Sequence, residues 1–444
     1  MPDLGLGGFI PYFLYGATIL IFLLSVFWRP IAGICFLVPL IPLQTIRYRI
    51  IDFPLGQSMI GIILLGVALG LLRRRQWILP RTPWTALLGL YGLYTFMSLF
   101  LGSNDLGPRL GEWRDYMMMP LLFFLVVGTV KKTSEMKLIV LLMCLAILTL
   151  DKTFWNTVSG RDYSTFSTDL QEGGAMGYSG VQGLAAFNAQ SAWFLVALAG
   201  TQQKRLMRLA CMGLAMFAAV CVMYSFSRGG YVALLAGWLF IGLVKYRKLL
   251  ILLVLFGLTW TSLVPNAVQE RVLMTYDTND GALDHSAELR LELWTDAMEL
   301  FKSNPLLGTG FDSYAYMRRV HNYADTHNIY LKVLVETGVI GLGLFLWLLA
   351  KTYRTGYWLF SHTQEPFFSG LGLGLAAWIV CTATASMFGD RWTHFQISGY
   401  MWVLAGLVAR SIAIQSSNTI PQPLSAGPLN EGSFAAADRL APAV

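Results

Sequence analysis

The chain has 444 residues, of which 55% are hydrophobic and only 13% are charged, and its formal net charge is +7. This composition excludes a soluble globular domain and predicts an all-α polytopic membrane protein. The cytoplasmic loops of such proteins are enriched in Lys and Arg, so the positive charge carries information about topology. It predicts no nucleic-acid partner.

Apolar runs long enough to form helices follow one another along most of the chain. In chain order they are Phe9–Phe27, Pro30–Leu43, Ser58–Leu72, Trp84–Leu101, Met117–Val130, Leu138–Leu150, Gly183–Ala199, Leu206–Phe226, Tyr231–Val244, Leu249–Val264, Tyr330–Ala350, Phe367–Phe388 and Ile397–Ala413. One of the shorter runs is not expected to cross a bilayer fully, so we predict about twelve transmembrane helices.

Basic residues occupy every second loop between these runs. They are Arg73–Arg75, Lys131–Lys132, Lys204–Arg205, Lys245 with Arg247 and Lys248, and Lys351 with Arg354. The positive-inside rule places these loops in the cytoplasm. The alternate segments then face outward: Gly102–Asp115, Asp151–Val181, Ser227–Gly230, Pro265–Thr326 and Gly389–His394. The first two runs carry almost no charge and leave the side of the N-terminus open.

Long loops inside a compact protein are usually functional, and the segment 265–326 is the longest outward one. A helical face is predicted within it, formed by Arg290, Trp294, Ala297, Met298 and Phe301. The opposite, water-facing side consists of Glu288, Glu292, Asp296 and Glu299. Asn304-Pro305 is expected to end this helix, and Gly308-Thr309-Gly310 to form a flexible turn. We therefore predict one transmembrane domain over residues 1–415 that includes this loop, followed by a disordered cytoplasmic tail over 416–444.

Arginines on the outward side run against the topological bias. They are Arg47, Arg49, Arg109, Arg114, Arg161, Arg228, Arg271, Arg290, Arg318, Arg319 and Arg391. Such a set indicates an anionic ligand, although contact with lipid headgroups is the alternative for any single one. Arg228 stands apart because Gly229 and Gly230 follow it at a helix start. There they allow close backbone approach and offer N–H groups to a phosphate.

His327 lies where the outward loop meets the next apolar run. Asp325 or Thr326 is expected to cap that helix, so His327 would lie in the first turn. At that position the helix dipole would disfavour the imidazolium form and suit the residue to general-base chemistry. The alternative is a histidine that merely anchors the helix at the membrane edge.

The sequence favours no metal site. No Asp-x-Asp motif occurs in the chain. Asp277, Asn279 and Glu288 match positions of a calcium loop, but Gly281 comes one residue early. We therefore expect neither a metal nor another cofactor.

Four short segments, taken in order, resemble the O-antigen ligase and polymerase superfamily of bacterial envelope glycosyltransferases. They are Ser227–Gly230, Arg290–Trp294, Asn304–Gly310 and the stretch from His327 to Leu331 continued by Glu336–Gly338. The similarity covers roughly the second half of the chain, whereas the first half matches in hydropathy alone.

The resemblance implies a multi-pass enzyme of the bacterial inner membrane, with its active site facing the periplasm. His327 would take the role of the essential histidine, and Arg228 and Arg290 the roles of donor-binding arginines. To these predicted substrate-binding residues we add Arg318 and Arg319, which lie outside the motifs.

On this basis we predict a metal-independent, inverting lipopolysaccharide O-antigen ligase. It would move O-antigen from undecaprenyl pyrophosphate to lipid A–core, act as a monomer, and contact membrane lipids. An O-antigen polymerase and a protein O-oligosaccharyltransferase are close alternatives within the superfamily. A lipid-linked glycan transporter is a more distant one, disfavoured because the charges cluster at the ends of the predicted spans.

Overall fold

The architecture was obtained as a computed structural model, which describes residues 9–47, 53, 58–102, 105–274 and 285–419. Within these ranges the chain forms seventeen α-helices, and no strand is present in them. The predicted all-α class is confirmed. The calcium-loop positions Asp277, Asn279 and Gly281 and the tail beyond Thr419 lie outside the described residues.

The first eight helices are α1 (Ile10–Phe27), α2 (Ile31–Leu40), α3 (Gln44–Arg47), α4 (Met59–Arg73), α5 (Thr85–Ser98), α6 (Leu106–Thr129), α7 (Thr133–Val158) and α8 (Gly180–Ala199). The remaining nine are α9 (Arg205–Tyr224), α10 (Arg228–Val244), α11 (Lys248–Leu263), α12 (Asn266–Leu273), α13 (His285–Ser303), α14 (Tyr314–Met317), α15 (Ile329–His362), α16 (Pro366–Ala385) and α17 (Phe395–Thr419). Short 3₁₀ turns extend α5 to Leu101 and α16 to Phe388.

Polar side chains fix the starts of several of these helices. Their oxygens accept hydrogen bonds from backbone N–H groups in the first turn, which the helix itself leaves without partners. The capping residues are Ser58 for α4, Asp105 for α6, Ser227 for α10, Asn328 for α15 and Glu365 for α16.

The helices have the lengths expected of a multi-pass membrane protein. Seven of those described are long and apolar enough to cross a membrane, and α11 with α12, bent by 114°, could form an eighth span. Four further apolar helices are shorter: α2, α4, α5 with its 3₁₀ extension, and α10. The predicted number of about twelve spans is reached only if these shorter helices also cross.

Two outward segments are more helical than predicted. Helix α6 begins at Leu106, inside the segment expected to be an outward loop, and α7 continues to Val158. Asp151, placed by sequence at the start of a loop, is instead fully buried within α7. A prediction from hydropathy ends a transmembrane helix at its first charged residue. In the structure the helix continues past that residue where neighbouring helices shield it from the lipid.

Helix α15 is longer than its apolar run and is broken at Gly338, where φ is 64° and ψ is −171°. The segment before α15 docks into this break. Gly338 could not carry a side chain, because a Cβ atom would overlap the carbonyl oxygen of Leu306. The N–H groups of Thr309 and Gly310 donate to the carbonyls of Val335 and Glu336, at 2.9 and 2.8 Å. The turn predicted to be flexible is therefore fastened to α15.

Helices α8, α17 and α16 form the centre of the bundle, with 83%, 78% and 72% of their apolar residues buried, against 17% for α1 at the edge. Helix α15, α10 and α17 pack around α16, and α9 packs on α8. At one end of the bundle the predicted outward segments meet. The N–H of Phe166 donates to Glu270 at 2.7 Å, and Nε of Arg109 donates to the carbonyl of Phe311 at 3.0 Å.

The basic loops lie at the opposite end. There Arg73 donates to the carbonyl of Phe27 at 3.0 Å, and Lys245 lies 5.2 Å from the ring centroid of Phe360. Helix α17 runs to Thr419, so it enters the segment predicted to be disordered from residue 416. The outward end is the one that brings the predicted functional residues together.

Candidate active site

The turn that precedes α10 fixes Arg228 at the first position of that helix. Ser227 accepts a hydrogen bond from the N–H of Gly230 at 3.3 Å and so caps the helix. Phe226 is fully buried and has a left-handed φ of 55°, which is uncommon for a large residue. The residues packed around it hold the backbone in this conformation. Arg228 donates to the carbonyl of Met274 at 3.1 Å.

The two glycines after Arg228 serve packing as well as access. A Cβ on Gly230 would lie 2.5 Å from the Cβ of Ala185 on α8, and one on Gly229 would lie 3.1 Å from the Cβ of Phe388. Because the N–H of Gly230 is used by the cap, it is not available to a ligand. The expectation that the N–H of Gly230 is free is therefore wrong, whereas the role of both glycines in substrate binding stays a prediction.

Helix α12 brings a second arginine to this turn. It packs Ala267 and Val268 against the aromatic group around Phe226. Arg271, near its end, donates from Nε to the carbonyl of Phe226 at 3.3 Å and lies 4.9 Å from the ring centroid of Phe166. These contacts hold the guanidinium beside the start of α10.

Helix α13 supplies the third arginine. Its buried side is centred on Leu293 and Ala297, with Arg290 and Trp294 half-buried next to them. Met298, predicted to share the apolar face, is 38% exposed. The predicted face is thus rotated, because Leu293 was not counted in it. The helix ends at Ser303, immediately before Asn304-Pro305, as predicted.

A cavity of about 360 Å³ lies between these elements. Its described lining includes Gln182, Ala186, Phe226, Ser227, Arg228, Gly229, Gly230, Val232, Arg271, Ala287, Arg290, Leu291, Trp294, Ala385, Phe388 and Arg391. We call it the arginine cavity, after Arg228, Arg271, Arg290 and Arg391. None of the described lining residues is acidic. Four guanidiniums around one space, together with the positive end of α10, suit a multiply charged anion such as a pyrophosphate.

His327 lies just before α15, outside the helix. The residue that caps α15 is Asn328, whose side chain accepts from the N–H groups of Tyr330 and Leu331 at 3.0 and 3.3 Å. His327 itself has a left-handed φ of 53°. The expectation that Asp325 or Thr326 caps the helix, with His327 in its first turn under the helix dipole, is therefore wrong. The Asn328 side chain reaches the free N–H groups instead.

A carboxylate orients the histidine. Oδ2 of Asp325 lies 3.4 Å from Nδ1 of His327, and the two side chains are 29% and 35% exposed. Burial raises the pKa of Asp325, but the hydrogen bond with His327 and the charges of Lys332, His327 and Arg391 outweigh it and hold the pKa at about 2. Asp325 is therefore ionised at neutral pH, and it favours the tautomer with a proton on Nδ1, which leaves Nε2 free to accept one.

The His327 loop is tied to the arginine cavity by one side chain. The indole Nε1 of Trp294, which lines the cavity, donates to the carbonyl of Thr326 at 3.1 Å. Thr326 is fully buried and precedes His327 directly. The ring of Tyr323 meets that of His327 edge-on, with 5.7 Å between centroids. His327 is not among the described residues that line the cavity, and its loop is joined to the cavity through Trp294 of α13.

A second charged group, which we call the lysine cluster, consists of Lys332, Asp312 and Asp390. Nζ of Lys332 lies 3.6 Å from Oδ1 of Asp312 and 3.6 Å from Oδ2 of Asp390. Oδ1 of Asp390 also accepts from the N–H groups of Trp392 and Thr393, at 3.0 and 2.9 Å. The cluster therefore joins α15 to the turn after Gly310 and to the loop that carries Arg391.

Residues 213–346 match the family model described as O-antigen ligase. This segment is similar to the O-antigen ligase family. The resemblance predicted from the four sequence segments is confirmed for this stretch, and it supports a glycosyltransferase-type enzyme of the O-antigen ligase superfamily. No curated protein matches the chain.

The matched segment contains Arg228, Arg271, Arg290 and His327, whereas Arg391 lies beyond its end. The fourth arginine of the cavity therefore comes from the loop between α16 and α17. Burial lowers the pKa of the Arg391 guanidinium, while Asp390 and Asp325 act in the opposite direction.

The other two predicted arginines are not brought to the cavity. Nε of Arg319 donates to Oδ1 of Asp296 at 2.8 Å, on the outer side of α13. Arg318 is exposed, with a left-handed φ of 44°. Asp296, predicted to face water, is half-buried by this pairing and by a 3.3 Å hydrogen bond from Tyr314. Proximity to the motif in sequence was the only signal for Arg318 and Arg319.

Sequence reasoning named Arg271 and Arg391 among the outward arginines without selecting them, and it gave no role to Lys332 or Asp390. For Asp325 the sequence did contain a signal, because this carboxylate lies only two residues before His327. In the structure the two side chains pair with each other. For Arg391 the only signal was an outward arginine next to an aspartate.

Proposed function

We propose that this protein is a lipopolysaccharide O-antigen ligase, which transfers a glycan from undecaprenyl pyrophosphate to lipid A–core at the periplasmic face of the bacterial inner membrane. The observation that carries the proposal is the arginine cavity with its four guanidiniums, joined through Trp294 to the loop of a carboxylate-oriented histidine. The O-antigen ligase match over residues 213–346 supports the reaction class.

In the proposed reaction the donor pyrophosphate binds in the arginine cavity. Nε2 of His327 accepts the proton of an acceptor sugar hydroxyl, while Asp325 stabilises the imidazolium that forms. The hydroxyl oxygen attacks the anomeric carbon of the donor. The bond from that carbon to the phosphate oxygen breaks, and its electron pair leaves with the pyrophosphate, inverting the anomeric configuration.

The arginines serve the departing group. Negative charge grows on the bridging phosphate oxygen as the bond breaks, and fixed guanidiniums near that oxygen stabilise it without the reorganisation that water would need. Arginine suits this task because its planar fork makes two parallel hydrogen bonds to a phosphate. Four such groups supply the neutralisation within the chain itself.

The test is in vitro transfer with purified protein, undecaprenyl-pyrophosphate glycan and separate acceptors, read on a gel. We expect ligation to lipid A–core and a rate lower by about 10²–10⁴-fold in His327→Ala. His362→Ala is the matched control, since His362 stacks on Trp358 at the end of α15 far from the site, and it should behave as wild type.

Other products would replace the proposal with a relative of it. Glycan ladders built without lipid A–core would identify a polymerase, and a glycosylated pilin-like protein would identify a protein O-oligosaccharyltransferase. Transfer that survives in His327→Ala would remove the base assignment. No product with any acceptor would favour transport of the lipid-linked glycan.

A further inference from the structure

Two glycines bring α4 into close contact with α1. Gly66 and Gly70 lie four residues apart on α4, a spacing of small residues that lets membrane helices approach each other. A Cβ atom on Gly70 would overlap the carbonyl oxygen of Ser25, and one on Gly66 would lie 2.8 Å from the ring of Phe22. This contact sets the ends of α1 and α4 side by side.

Two arginines at the end of α4 extend this contact. Nη1 of Arg73 donates to the carbonyls of Val26 and Phe27, at 3.4 and 3.0 Å, and the guanidinium lies 5.1 Å from the ring centroid of Phe27. Arg74 donates to the carbonyl of Trp28. These carbonyls belong to the end of α1, where a helix leaves its own acceptors without partners. Both guanidiniums are therefore fixed at the surface in a defined position.

Two further arginines lie next to these along the chain. Arg29 follows Trp28 and lies 5.7 Å from the centroid of its ring. Arg75 follows Arg74 and has a left-handed φ of 55°. Both side chains are exposed. We call the group formed by Arg29, Arg73, Arg74 and Arg75 the corner arginines.

The corner arginines lie in a part of the chain that is nearly free of acidic residues. Among residues 4–104 the only acidic one is Asp52, which precedes α4, whereas Arg73, Arg74 and Arg75 come at its end and after it. The ion pairs formed by the described residues do not include any of the corner arginines. Four cations are thus gathered without a carboxylate partner in that part of the protein.

The surroundings of the corner arginines are those of a membrane–water interface. Trp28 and Trp77 are 62% and 83% exposed, and tryptophan is enriched at the level of lipid headgroups. From there an apolar face runs along α4, on which Leu72, Leu69 and Leu65 are all exposed. The basic group therefore adjoins a surface suited to hydrocarbon chains.

We propose that the corner arginines bind the phosphate headgroup of an anionic phospholipid, whose acyl chains lie along the leucine face of α4. A phosphodiester accepts paired hydrogen bonds from the planar guanidinium, and its charge offsets the repulsion among neighbouring cations. The contacts of Arg73 and Arg74 with α1 hold two of the four guanidiniums in place before the lipid arrives. The site lies at the end of the bundle that carries the basic loops, opposite the arginine cavity.

A charge-matched pair of variants separates this site from general attraction to the basic loops. Native mass spectrometry of the full chain in neutral detergent counts bound phosphatidylglycerol as its concentration rises. The double variant Arg29→Gln, Arg75→Gln leaves the contacts of Arg73 and Arg74 with α1 intact. It should weaken binding of the tightest lipid about 25-fold, since each arginine near an anionic headgroup contributes about fivefold.

The control removes the same charge at the same end of the molecule. Arg247→Gln with Lys248→Gln changes two exposed cations at the start of α11 and should bind phosphatidylglycerol as wild type does. An equal loss in both double variants would mean non-specific attraction and overturn the site. Phosphatidylethanolamine that binds as tightly as phosphatidylglycerol, or inorganic phosphate that displaces the lipid at equal concentration, would also overturn it.

Thermal unfolding provides a second readout and tests whether the variants fold. Without added lipid, both double variants should melt near the temperature of wild type. Phosphatidylglycerol should raise the melting temperature of wild type and of the control, because a ligand that binds the folded state stabilises it. It should raise that of Arg29→Gln, Arg75→Gln less, and an equal rise in all three proteins contradicts the proposal.

Discussion

The arginine cavity and the lysine cluster lie at the same end of the molecule, yet their charges are arranged in opposite ways. Around the cavity, Arg228, Arg271, Arg290 and Arg391 meet with no acidic residue in the described lining. In the cluster, Lys332 is shared between Asp312 and Asp390. The first arrangement gathers four guanidiniums around one space, whereas the second uses its charge to hold segments of the chain together.

Several other outward arginines resemble Lys332, because their charged groups contact other parts of the protein. Arg114, Arg161 and Arg319 each form an ion pair with a nearby carboxylate. Arg109 is fully buried and donates to the carbonyls of Phe311 and Leu99. An outward arginine is therefore no indicator of ligand binding by itself, and its position relative to the cavity has to be known as well.

The largest effect is expected in the lysine cluster. Lys332→Met removes the cation between two buried carboxylates, and leaving them without it should cost about 3–5 kcal/mol of unfolding free energy. Thermal unfolding in detergent micelles measures this loss, with exposed Lys152→Met as the control. An unchanged melting temperature in Lys332→Met would show that the cluster does not hold α15 to its neighbouring loops.

A similar loss, but in activity rather than stability, is expected in the cavity. Arg290→Ala should lower transfer by about 10²–10³-fold, the usual effect of removing one donor that stabilises developing charge. Its melting temperature should stay near that of wild type. Arg114→Ala, which breaks an exposed pair with Asp115, is the matched control and should keep full activity. Equal losses in both variants would erase the distinction between the two kinds of arginine.

Asp325 connects the two regions, and its contribution depends on pH. Its pKa in the folded protein is about 2, below the ordinary value of 3.8. The carboxylate therefore stabilises the fold fully at a pH above 3.8, and this stabilisation is lost as the pH falls through about 2. The shift corresponds to about 2 kcal/mol. Unfolding free energies of wild type and Asp325→Asn should differ by that amount at pH 6 and converge near pH 2. A difference that persists at pH 2 would have another origin.

The smallest effect is expected outside both regions. Arg319→Ala breaks a partly exposed pair with Asp296, and such pairs contribute at most about 1 kcal/mol, or roughly fivefold in a rate. Transfer assays should therefore detect little change. A loss as large as that in Arg290→Ala would restore Arg319 to the donor site, where its position in the sequence had suggested it.

The elements of the fold were largely predictable. Hydropathy located every apolar helix, because a segment that crosses a bilayer must satisfy its own backbone hydrogen bonds and be apolar along its length. It misplaced the ends of α6, α7 and α15. Asp151 was predicted to begin a loop because it is charged, but it is buried by other helices. The local sequence does not show that those helices pack around it.

The membrane class, a helix start close to Arg228, the end of α13 before Asn304 and the segments that resemble the O-antigen ligase family could all be read from the sequence. These follow from local propensities and short segments. The packing of the helices was needed to show that Arg271 and Arg391 join Arg228 and Arg290, that Arg319 pairs with Asp296, and that Asn328 rather than Asp325 caps α15. The partner of a guanidinium or carboxylate is a group from a distant part of the chain, and the packing of the helices determines which group comes close enough to pair with it.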